Sequence, residues 1–240
     1  MNPSPAVQVC GTDAAACALA ARLGLALAAQ PQTDFCLRYG DGGLSLQDRT
    51  RPNERPLCVD LVPTLMQRRP LGLMGRALGR GVQQVFDATA GLGGDAALFA
   101  SRGLQVVAFE RNAAVFALLE DALKRAQERV PEPTARIALY YGDARTALGR
   151  LPPMEVVYID AMFPHKRKRS AATRKELRML QDLVGRDDDV ADLLQAARAA
   201  ALKRVVVKRA DDTPAVAPPD VSYRGTTVRY DVYVARAGHV

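Results

Sequence analysis

Four acidic residues each stand at or just beyond the end of a short β-type run in the second part of the chain: Asp87, Glu110, Asp143 and Asp160. A carboxylate at the end of a strand can accept hydrogen bonds from the hydroxyl and amine groups of a ligand. Open α/β sheets bind their ligands in the crevice at the carboxyl ends of the strands. We therefore expect these four carboxylates to surround one site.

A glycine-rich turn follows the first of these strands. Its sequence, Asp87-Ala-Thr-Ala-Gly91-Leu-Gly93-Gly94-Asp95, leads directly into a predicted helix, and its glycines let the backbone approach a ligand closely. Gly91, Gly93 and Ala96 also fit the pattern G-x-G-x-x-A. Taken alone, that pattern equally indicates a dinucleotide-binding dehydrogenase or merely a tight turn between a strand and a helix.

The other three strand ends suggest an adenosyl ligand and a planar base. Glu110 lies 23 residues beyond Asp87, where a carboxylate can accept both hydroxyls of an adenosine ribose. Asp143 could accept a hydrogen bond from the exocyclic amine of an adenine. The Asp160 loop carries Phe163, whose ring can stack on a base. Each residue alone has an ordinary explanation as a solvated strand end, a turn former or a packed loop aromatic. Their order within one domain favours methyl transfer from an adenosyl cofactor.

The elements that position these residues alternate between strand and helix after residue 80, as in a parallel sheet covered on both faces. Asn112 can cap one helix, Thr173-x-x-Glu176 fits a capping box, and Asp188 could open a further helix. The predicted strands are Val82–Phe86, Gln105–Phe109, Ile137–Tyr141, Glu155–Ile159, Arg204–Val207 and an antiparallel edge strand at Thr226–Ala235.

The first 80 residues predict a small α+β module. An amphipathic helix spans Ala14–Ala29, and the turn sequence Gly40-Asp41-Gly42-Gly43 indicates a hairpin. The arginine- and glycine-rich stretch Met66–Gly81 is typical of a mobile connector. The remaining predicted strands of the module are Val7–Cys10, Phe35–Tyr39, Leu44–Gln47 and Leu57–Val62. The chain thus divides into residues 1–80 and 81–240.

Composition limits the class of protein. The 240 residues are 48% hydrophobic and 25% charged, which excludes a disordered or fibrous chain. No secretory signal, transit peptide or transmembrane segment is recognisable, so we expect a cytoplasmic protein. The four cysteines match neither a redox pair nor a zinc knuckle and are expected to be reduced structural thiols. With two histidines in the chain, we expect no metal site.

The positive charge is concentrated in two stretches. Residues 163–178 hold seven basic residues and one acid, and residues 49–80 hold seven arginines and two acids, so they contribute +6 and +5 against +7 for the whole chain. The run His165-Lys166-Arg167-Lys168-Arg169 directly follows the Asp160 loop. It could bind phosphates on either side of a flipped-out base, although such runs are often simply solvated loop surface.

Five blocks of the chain resemble the ribosomal RNA small subunit methyltransferase J family. They are Asp87-Ala-Thr-Ala-Gly-Leu-Gly93, Phe109-Glu-Arg-Asn112, Val157-Tyr-Ile-Asp-Ala-Met-Phe-Pro-His-Lys166, Gln181-Asp-Leu-Val-Gly185 and Lys203-Arg-Val-Val-Val-Lys-Arg209. The resemblance runs from about residue 55 to the end and fades in the N-terminal module. It implies a Rossmann-like class I methyltransferase fold with a doubly wound, mostly parallel sheet.

The resemblance also implies an activity and a set of binding residues. The family uses S-adenosylmethionine to methylate the exocyclic N2 amine of a guanine in 16S ribosomal RNA, so the RNA or the small ribosomal subunit is the expected partner. The residues that would touch the cofactor are Gly94, Asp95, Glu110, Arg111, Asp143, Ala144 and Asp160. Arg111 and Ala144 come from the resemblance alone, whereas Asp87 and Gly91 come from the strand-end argument alone.

One departure from the family keeps a non-catalytic function open, just as the glycine turn keeps an oxidoreductase open. Ala161 stands where the family has a proline, which removes a fixed backbone angle but leaves the carbonyl that would accept from the amine. Asp160 and Phe163 remain the expected catalytic pair. The alternatives are a nicotinamide-dependent oxidoreductase and a non-catalytic RNA-binding protein with a methyltransferase-like fold.

Overall fold

The computed structural model describes residues 6–160, 171–184 and 189–235, with the backbone alone for 171–177. Two β-sheets form the framework of this part of the chain. The first sheet has the strand order β2-β1-β3-β4-β5, with β1 parallel to both of its neighbours and β3, β4 and β5 antiparallel. Its elements are β1 (Val7–Cys10), α1 (Ala14–Leu23), β2 (Ala26–Ala28), β3 (Phe35–Gly40), β4 (Gly43–Asp48) and β5 (Leu57–Cys58).

The second sheet carries the parallel strands predicted from the sequence. Its order is β11-β12-β10-β9-β6-β7-β8; the strands from β10 to β8 are parallel and the other two antiparallel. The strands are β6 (Gln84–Asp87), β7 (Gln105–Glu110), β8 (Ile137–Tyr141), β9 (Met154–Ile159), β10 (Ala201–Ala210), β11 (Val221–Arg224) and β12 (Val228–Val234). The helices are α2 (Val62–Leu65), α3 (Leu73–Leu78), α4 (Gly94–Ala100), α5 (Ala113–Arg129), α6 (Pro131–Thr134), α7 (Ala144–Leu148), α8 (Ala171–Val184) and α9 (Val190–Ala200). The mostly parallel, Rossmann-like fold is confirmed.

The first predicted helix is wrong at its C-terminal end. Asp13 caps α1 by accepting from the Ala16 amide, and Gly24 ends the helix with a left-handed φ of 64°. Because that turn redirects the chain, Ala26–Ala28 pairs with β1 as strand β2 and does not continue the helix. The hairpin is confirmed, since β3 and β4 pair from Phe35–Asp48 to Gly40–Gly43.

Two predictions between residues 57 and 81 are also wrong. The expected strand Leu57–Val62 is paired only at Leu57–Cys58, and Val62 already begins helix α2. The stretch predicted as a mobile connector contains helix α3, whose Met74, Ala77 and Leu78 are buried. This helix contacts β10, β11 and β12, so its apolar side chains find a partner that lies more than 120 residues away in the sequence.

The expectation of four reduced thiols is wrong as well. Cys10 and Cys36 form a disulfide between the adjacent strands β1 and β3, whereas Cys17 and Cys58 are free. A separation of 26 residues gave no indication of this pairing, because it depends on which strands become neighbours.

Three boundaries in the second sheet differ from the sequence analysis. The last strand was expected at the edge, but β11 pairs along its outer side and makes β12 an inner strand, which agrees with its nearly continuous burial. Helix α8 begins at Ala171, so Thr173 lies inside the helix and the capping box is wrong. Helix α9 begins at Val190, and Asp188 lies outside the described residues. The Asn112 cap is confirmed, since its side chain accepts from the Ala114 and Val115 amides.

Helix α5 connects the two sheets. The Asp121 carboxylate on this helix accepts hydrogen bonds from the Leu44 amide of β4 at 3.0 Å and from Arg125 Nε at 2.8 Å. Arg125 in turn donates to the Val59 carbonyl at 2.6 Å. One hydrophobic cluster contains residues of both sheets, among them Leu46 and Val85. The division of the chain at residue 80 stays a prediction.

Candidate active site

A cavity of about 280 Å³ opens at the carboxyl ends of the parallel strands. It lies where the strand-end argument placed a ligand. Its lining includes all nine residues predicted to bind the cofactor: Asp87, Gly91, Gly94, Asp95, Glu110, Arg111, Asp143, Ala144 and Asp160.

The glycine turn after β6 forms one wall of this cavity. Gly91 and Gly93 have φ angles of 55° and 80°, a region in which a side chain is strained. A Cβ at Gly93 would also lie 2.4 Å from Leu119 Cδ1 of α5, so both its φ angle and its surroundings favour glycine. A Cβ at Gly94 would meet no atom within 4 Å, so the first turn of α4 faces open space.

Glu110 is fixed at the end of β7 by backbone amides. Its Oε2 accepts from the Gly91 amide at 2.9 Å and its Oε1 from the Asn112 amide at 2.7 Å. The Glu110 carbonyl accepts from the Gly142 amide at 3.0 Å, which joins the ends of β7 and β8. The glycine turn therefore sets both the shape of the wall and the direction of this carboxylate.

A network of ion pairs surrounds the Asp143 side of the cavity. Asp143 caps α7 by accepting from the Arg145 amide, and it also binds the Arg145 guanidinium at 3.0 Å. Hydrogen bonds from Arg145 lower the pKa of Asp143 below its usual value. Arg145 and Arg111 both contact Asp189, at 2.8 and 2.5 Å, so α9 is tied to the ends of β7 and β8.

Carboxylates and one ammonium group meet at the opposite side of the cavity. Lys208 Nζ lies 2.7 Å from Asp95 Oδ2 and 2.8 Å from Asp160 Oδ2. The Tyr158 hydroxyl donates to the same Asp95 oxygen at 2.6 Å. The Asp160 amide donates to Thr89 Oγ1 at 2.6 Å, which holds the start of the Asp160 loop against the glycine turn.

Burial and mutual repulsion shift the ionisation of this group. Burial, together with the charge of Asp95, raises the pKa of Asp87 to about 8. Burial also raises the pKa of Asp160, and Lys208 opposes that shift. Burial alone would lower the pKa of Lys208, but the charges of Asp160 and Asp95 raise it above its usual value. Lys208 is therefore an ammonium ion at neutral pH.

Several predicted residues lie outside the described part of the chain. They are Ala161, Phe163 and the basic run His165, Lys166, Arg167, Lys168 and Arg169.

Lys208, Tyr158 and Thr89 also contribute to the site, although none of them was predicted from the sequence. Lys208 follows the run Val205–Val207 near the carboxyl end of β10, so the strand-end argument applied to this strand would have found it. Tyr158 gave no such signal, because an aromatic residue inside a strand is usually a core residue.

Among the described residues, no group of three or more His, Cys, Asp or Glu side chains could hold a metal ion. Within residues 6–160, 171–184 and 189–235, no helix is both long and apolar enough to cross a membrane.

Comparison with known proteins identifies the family. The sequence profile SAM_MT, which describes SAM-dependent methyltransferases, matches residues 18–235. A ribosomal RNA small subunit methyltransferase J from Pseudoalteromonas translucida is 40% identical over 91% of this chain and 92% of its own. The chain belongs to the ribosomal RNA small subunit methyltransferase J family. A further member from Pseudomonas aeruginosa is 39% identical over 96% of this chain and 95% of its own.

A solved structure agrees with this family assignment. The SAM-dependent methyltransferase NGO1261 from Neisseria gonorrhoeae has a TM-score of 0.76 and 31% identity, covering 97% of this chain and 96% of its own. The protein is therefore an S-adenosylmethionine-dependent methyltransferase, and neither the oxidoreductase nor the non-catalytic alternative is favoured.

The cavity fits that cofactor on its own chemistry. Glu110 presents an oriented carboxylate, and the backbone at Gly94 leaves open space beside it. The carboxyl groups of Asp95 and Asp160 outnumber the single ammonium group of Lys208 that they contact. An excess of negative charge suits a ligand with a positively charged sulfonium centre.

Proposed function

We propose that this methyltransferase transfers a methyl group from S-adenosylmethionine to the exocyclic N2 amine of a guanine in 16S ribosomal RNA. One observation carries the proposal: Asp160 opens into the same cavity as the glycine turn and Glu110. A hydrogen-bond acceptor for the amine is thus next to the expected cofactor site. The names of the relatives support the small-subunit RNA as substrate, and the guanine amine follows from the resemblance described above.

The cofactor is held by groups from four strand ends. Glu110 accepts from the ribose hydroxyls. Asp143 and Ala144, at the start of α7, bind the adenine side together with Arg111. The turn residues that complete the set are Asp87, Gly91, Gly94 and Asp95.

S-adenosylmethionine held there would supply the methyl group: its S–C bond would break as the amine nitrogen forms the new N–C bond, and the amine proton would leave to solvent. A guanine amine is a poor nucleophile because its lone pair is delocalised into the ring. Asp160 and the Ala161 carbonyl accept from its N–H groups and draw the nitrogen toward a tetrahedral geometry. Catalysis then depends on positioning and on stabilising the charge that develops on nitrogen. Asp160 need not take up the proton in the transition state.

Phe163 and the basic run after it hold the RNA. Phe163 stacks on the target base, and residues His165 to Arg169 bind the phosphates on either side of it. This run follows the Asp160 loop directly in the sequence, which supports a role at the mouth of the same site. A small-subunit RNA substrate also supports a cytoplasmic location.

Binding and transfer measured separately test the proposal. We expect isothermal titration to detect S-adenosylmethionine binding and no comparable NAD binding. With tritiated cofactor, we expect label to enter small ribosomal subunits from cells that lack the enzyme. Absence of cofactor binding, or binding without transfer to either subunits or their naked RNA, would contradict the proposal.

The role of Asp160 is tested by substitution. Asp160→Ala removes the acceptor and should lower turnover by about 10²–10³-fold, as for the loss of one preorganised hydrogen-bonding group, with little change in thermal unfolding. Asp41→Asn is the matched control, because Asp41 is an exposed carboxylate in the hairpin turn of the first sheet. Turnover of Asp160→Ala equal to that of Asp41→Asn would refute the assignment.

A further inference from the structure

Lys208 has no part in the function as proposed so far, although it lies at the centre of the acidic group. Its Nζ contacts one oxygen of Asp95 and one of Asp160, at 2.7 and 2.8 Å. Its side chain is only 22% exposed, and it lines the cavity together with both carboxylates. Because both oxygens contact one nitrogen, the carboxyl groups of Asp95 and Asp160 are near neighbours that share a single ammonium group.

We propose that Lys208 is a positioning residue that keeps Asp160 ionised and oriented as the acceptor for the substrate amine. The proposal rests on the proposed function, because it assigns Asp160 the same role. Lys208 itself then touches neither the amine nor the cofactor, and it acts through the carboxylate.

The charges around Lys208 explain why the ammonium is needed. Asp87 of β6 adds a third carboxyl, and the hydroxyls of Tyr158 and Tyr230 face the same group from β9 and β12. No other cation contacts Asp95 or Asp160 among the described residues. Without Lys208, the two neighbouring carboxylates would repel each other and would share a proton near neutral pH.

A shared proton would remove the function assigned to Asp160. An ionised carboxylate only accepts hydrogen bonds, whereas a protonated one also donates. The amine needs an acceptor for its N–H groups while its lone pair attacks the methyl carbon. A protonated Asp160 would direct an O–H toward that lone pair and compete with the reaction.

Lys203 offers a matched control on the same strand. It is the same residue type near the start of β10, and it also forms an ion pair, with Glu155 at 2.5 Å. Its other contact is the Gly81 carbonyl at 3.2 Å, and it does not line the cavity. Replacing either lysine by methionine therefore removes one paired ammonium from β10, but only one of the two lies beside Asp160.

The test compares turnover of Lys208→Met, Lys208→Arg and Lys203→Met with that of the wild type across pH, using small subunits as substrate. We expect Lys208→Met to lose turnover at pH 7, by about tenfold for each unit by which the pKa of Asp160 then exceeds 7, and to recover as the pH rises. The acid side (acid limb) of its pH–turnover profile should lie about 1–3 pH units above that of the wild type. This is the range by which a neighbouring opposite charge shifts a carboxyl pKa. Lys208→Arg keeps the charge and should keep the acid limb of the wild type, as should Lys203→Met.

Two further readouts do not depend on turnover. The affinity for S-adenosylmethionine should change little in Lys208→Met, because Lys208 is not assigned as a cofactor ligand. Infrared difference spectra between each protein and its Asp160→Asn variant report the carboxyl group of Asp160. We expect no band of a protonated carboxyl at pH 7 in the wild type, and such a band in Lys208→Met.

Three results would overturn the proposal. The first is an unshifted acid limb in Lys208→Met, and the second is a large loss of cofactor affinity with an unshifted limb, which would make Lys208 a cofactor ligand. The third is a protonated Asp160 in the wild type at pH 7, a measurement that holds even if Lys208→Met fails to fold. A wild type that binds the cofactor but methylates no small-subunit RNA would instead refute the proposed function.

Discussion

Asp87 is a carboxyl group that this fold keeps protonated at neutral pH. It is 1% exposed at the end of β6, and its Oδ1 accepts from the Thr89 amide at 3.1 Å. Burial and the nearby charge of Asp95 raise its pKa from 3.8 to about 8. Protonated Asp87 adds no negative charge beside Asp95, Asp160 and Lys208, so its protonation affects the charge of the whole site.

The raised pKa of Asp87 predicts how stability depends on pH. Between about pH 4 and 8 the unfolded chain has lost this proton while the folded chain retains it. The free energy of unfolding therefore falls as the pH rises through this window, by at most about 1.4 kcal/mol per pH unit for one group. Above pH 8 the contribution levels off.

Urea unfolding of the cofactor-free protein at several pH values measures this effect. Asp87→Asn removes the titrating proton, so its free energy of unfolding should fall less than that of the wild type between pH 5 and 8. Parallel curves for the two proteins would show that Asp87 is already ionised in the folded state.

At the scale of elements, helix α5 determines how the two sheets meet. The Asp121 side chain is 13% exposed and accepts a hydrogen bond from the Leu44 amide of β4. The side chain of its neighbour Glu120 is 43% exposed and forms an ion pair with Arg22 of α1. A buried amide that loses its acceptor pays a desolvation penalty, but an exposed ion pair contributes little to stability.

We therefore expect adjacent carboxylates of α5 to differ sharply when each is truncated. Asp121→Ala should lower the free energy of unfolding by about 1–3 kcal/mol, and Glu120→Ala by less than about 1 kcal/mol. Chemical denaturation followed by circular dichroism measures both. Equal losses of unfolding free energy in the two variants would mean that the hydrogen bond between Asp121 and β4 does not specifically stabilise the fold.

The elements that local sequence specifies were predicted well, and those that depend on distant partners were not. The parallel strands and the Asn112 cap follow from hydrophobic runs and from one side chain, and they were found. Strand β2 and helix α3 are short and form only because β1 and the β10–β12 strands lie beside them. The disulfide between Cys10 and Cys36 has the same origin.

The same distinction holds within the site. A charged residue at a strand end is visible in the sequence, so Asp87, Glu110, Asp143 and Asp160 could be named in advance, whereas Arg111 and Ala144 came from the family resemblance. The contact of Lys208 with Asp95 joins residues 113 positions apart and depends on the neighbouring order of β9 and β10. Only the folded structure shows that the ammonium group of Lys208 contacts two carboxylates.

At the scale of the whole molecule, two groups of basic residues are candidates for binding RNA. Arg68 and Arg69 are exposed, and their carbonyls accept hydrogen bonds from Arg102. Arg102 follows the end of α4, while the start of that helix lines the cavity. These arginines therefore lie away from the site, whereas Lys166 and Arg167 follow the Asp160 loop in sequence.

The contribution of each group to RNA binding can be compared with two double variants, each of which removes two positive charges. Lys166→Ala/Arg167→Ala should weaken RNA binding and lower the slope of log K against log salt by about 1.5, as for two lost phosphate contacts. Arg68→Ala/Arg69→Ala should change the slope less. Filter binding at several salt concentrations measures both, and equal changes would indicate a general electrostatic attraction.

The most direct test of the account is to identify the nucleoside that this enzyme methylates. Small subunits from cells that lack the enzyme would be incubated with protein and isotopically labelled S-adenosylmethionine, and their RNA would be digested and analysed by mass spectrometry. We expect label in N2-methylguanosine from one position of 16S RNA, and labelling at least about 10²-fold slower with Asp160→Ala. Label in another nucleoside, or none despite cofactor binding, would contradict it.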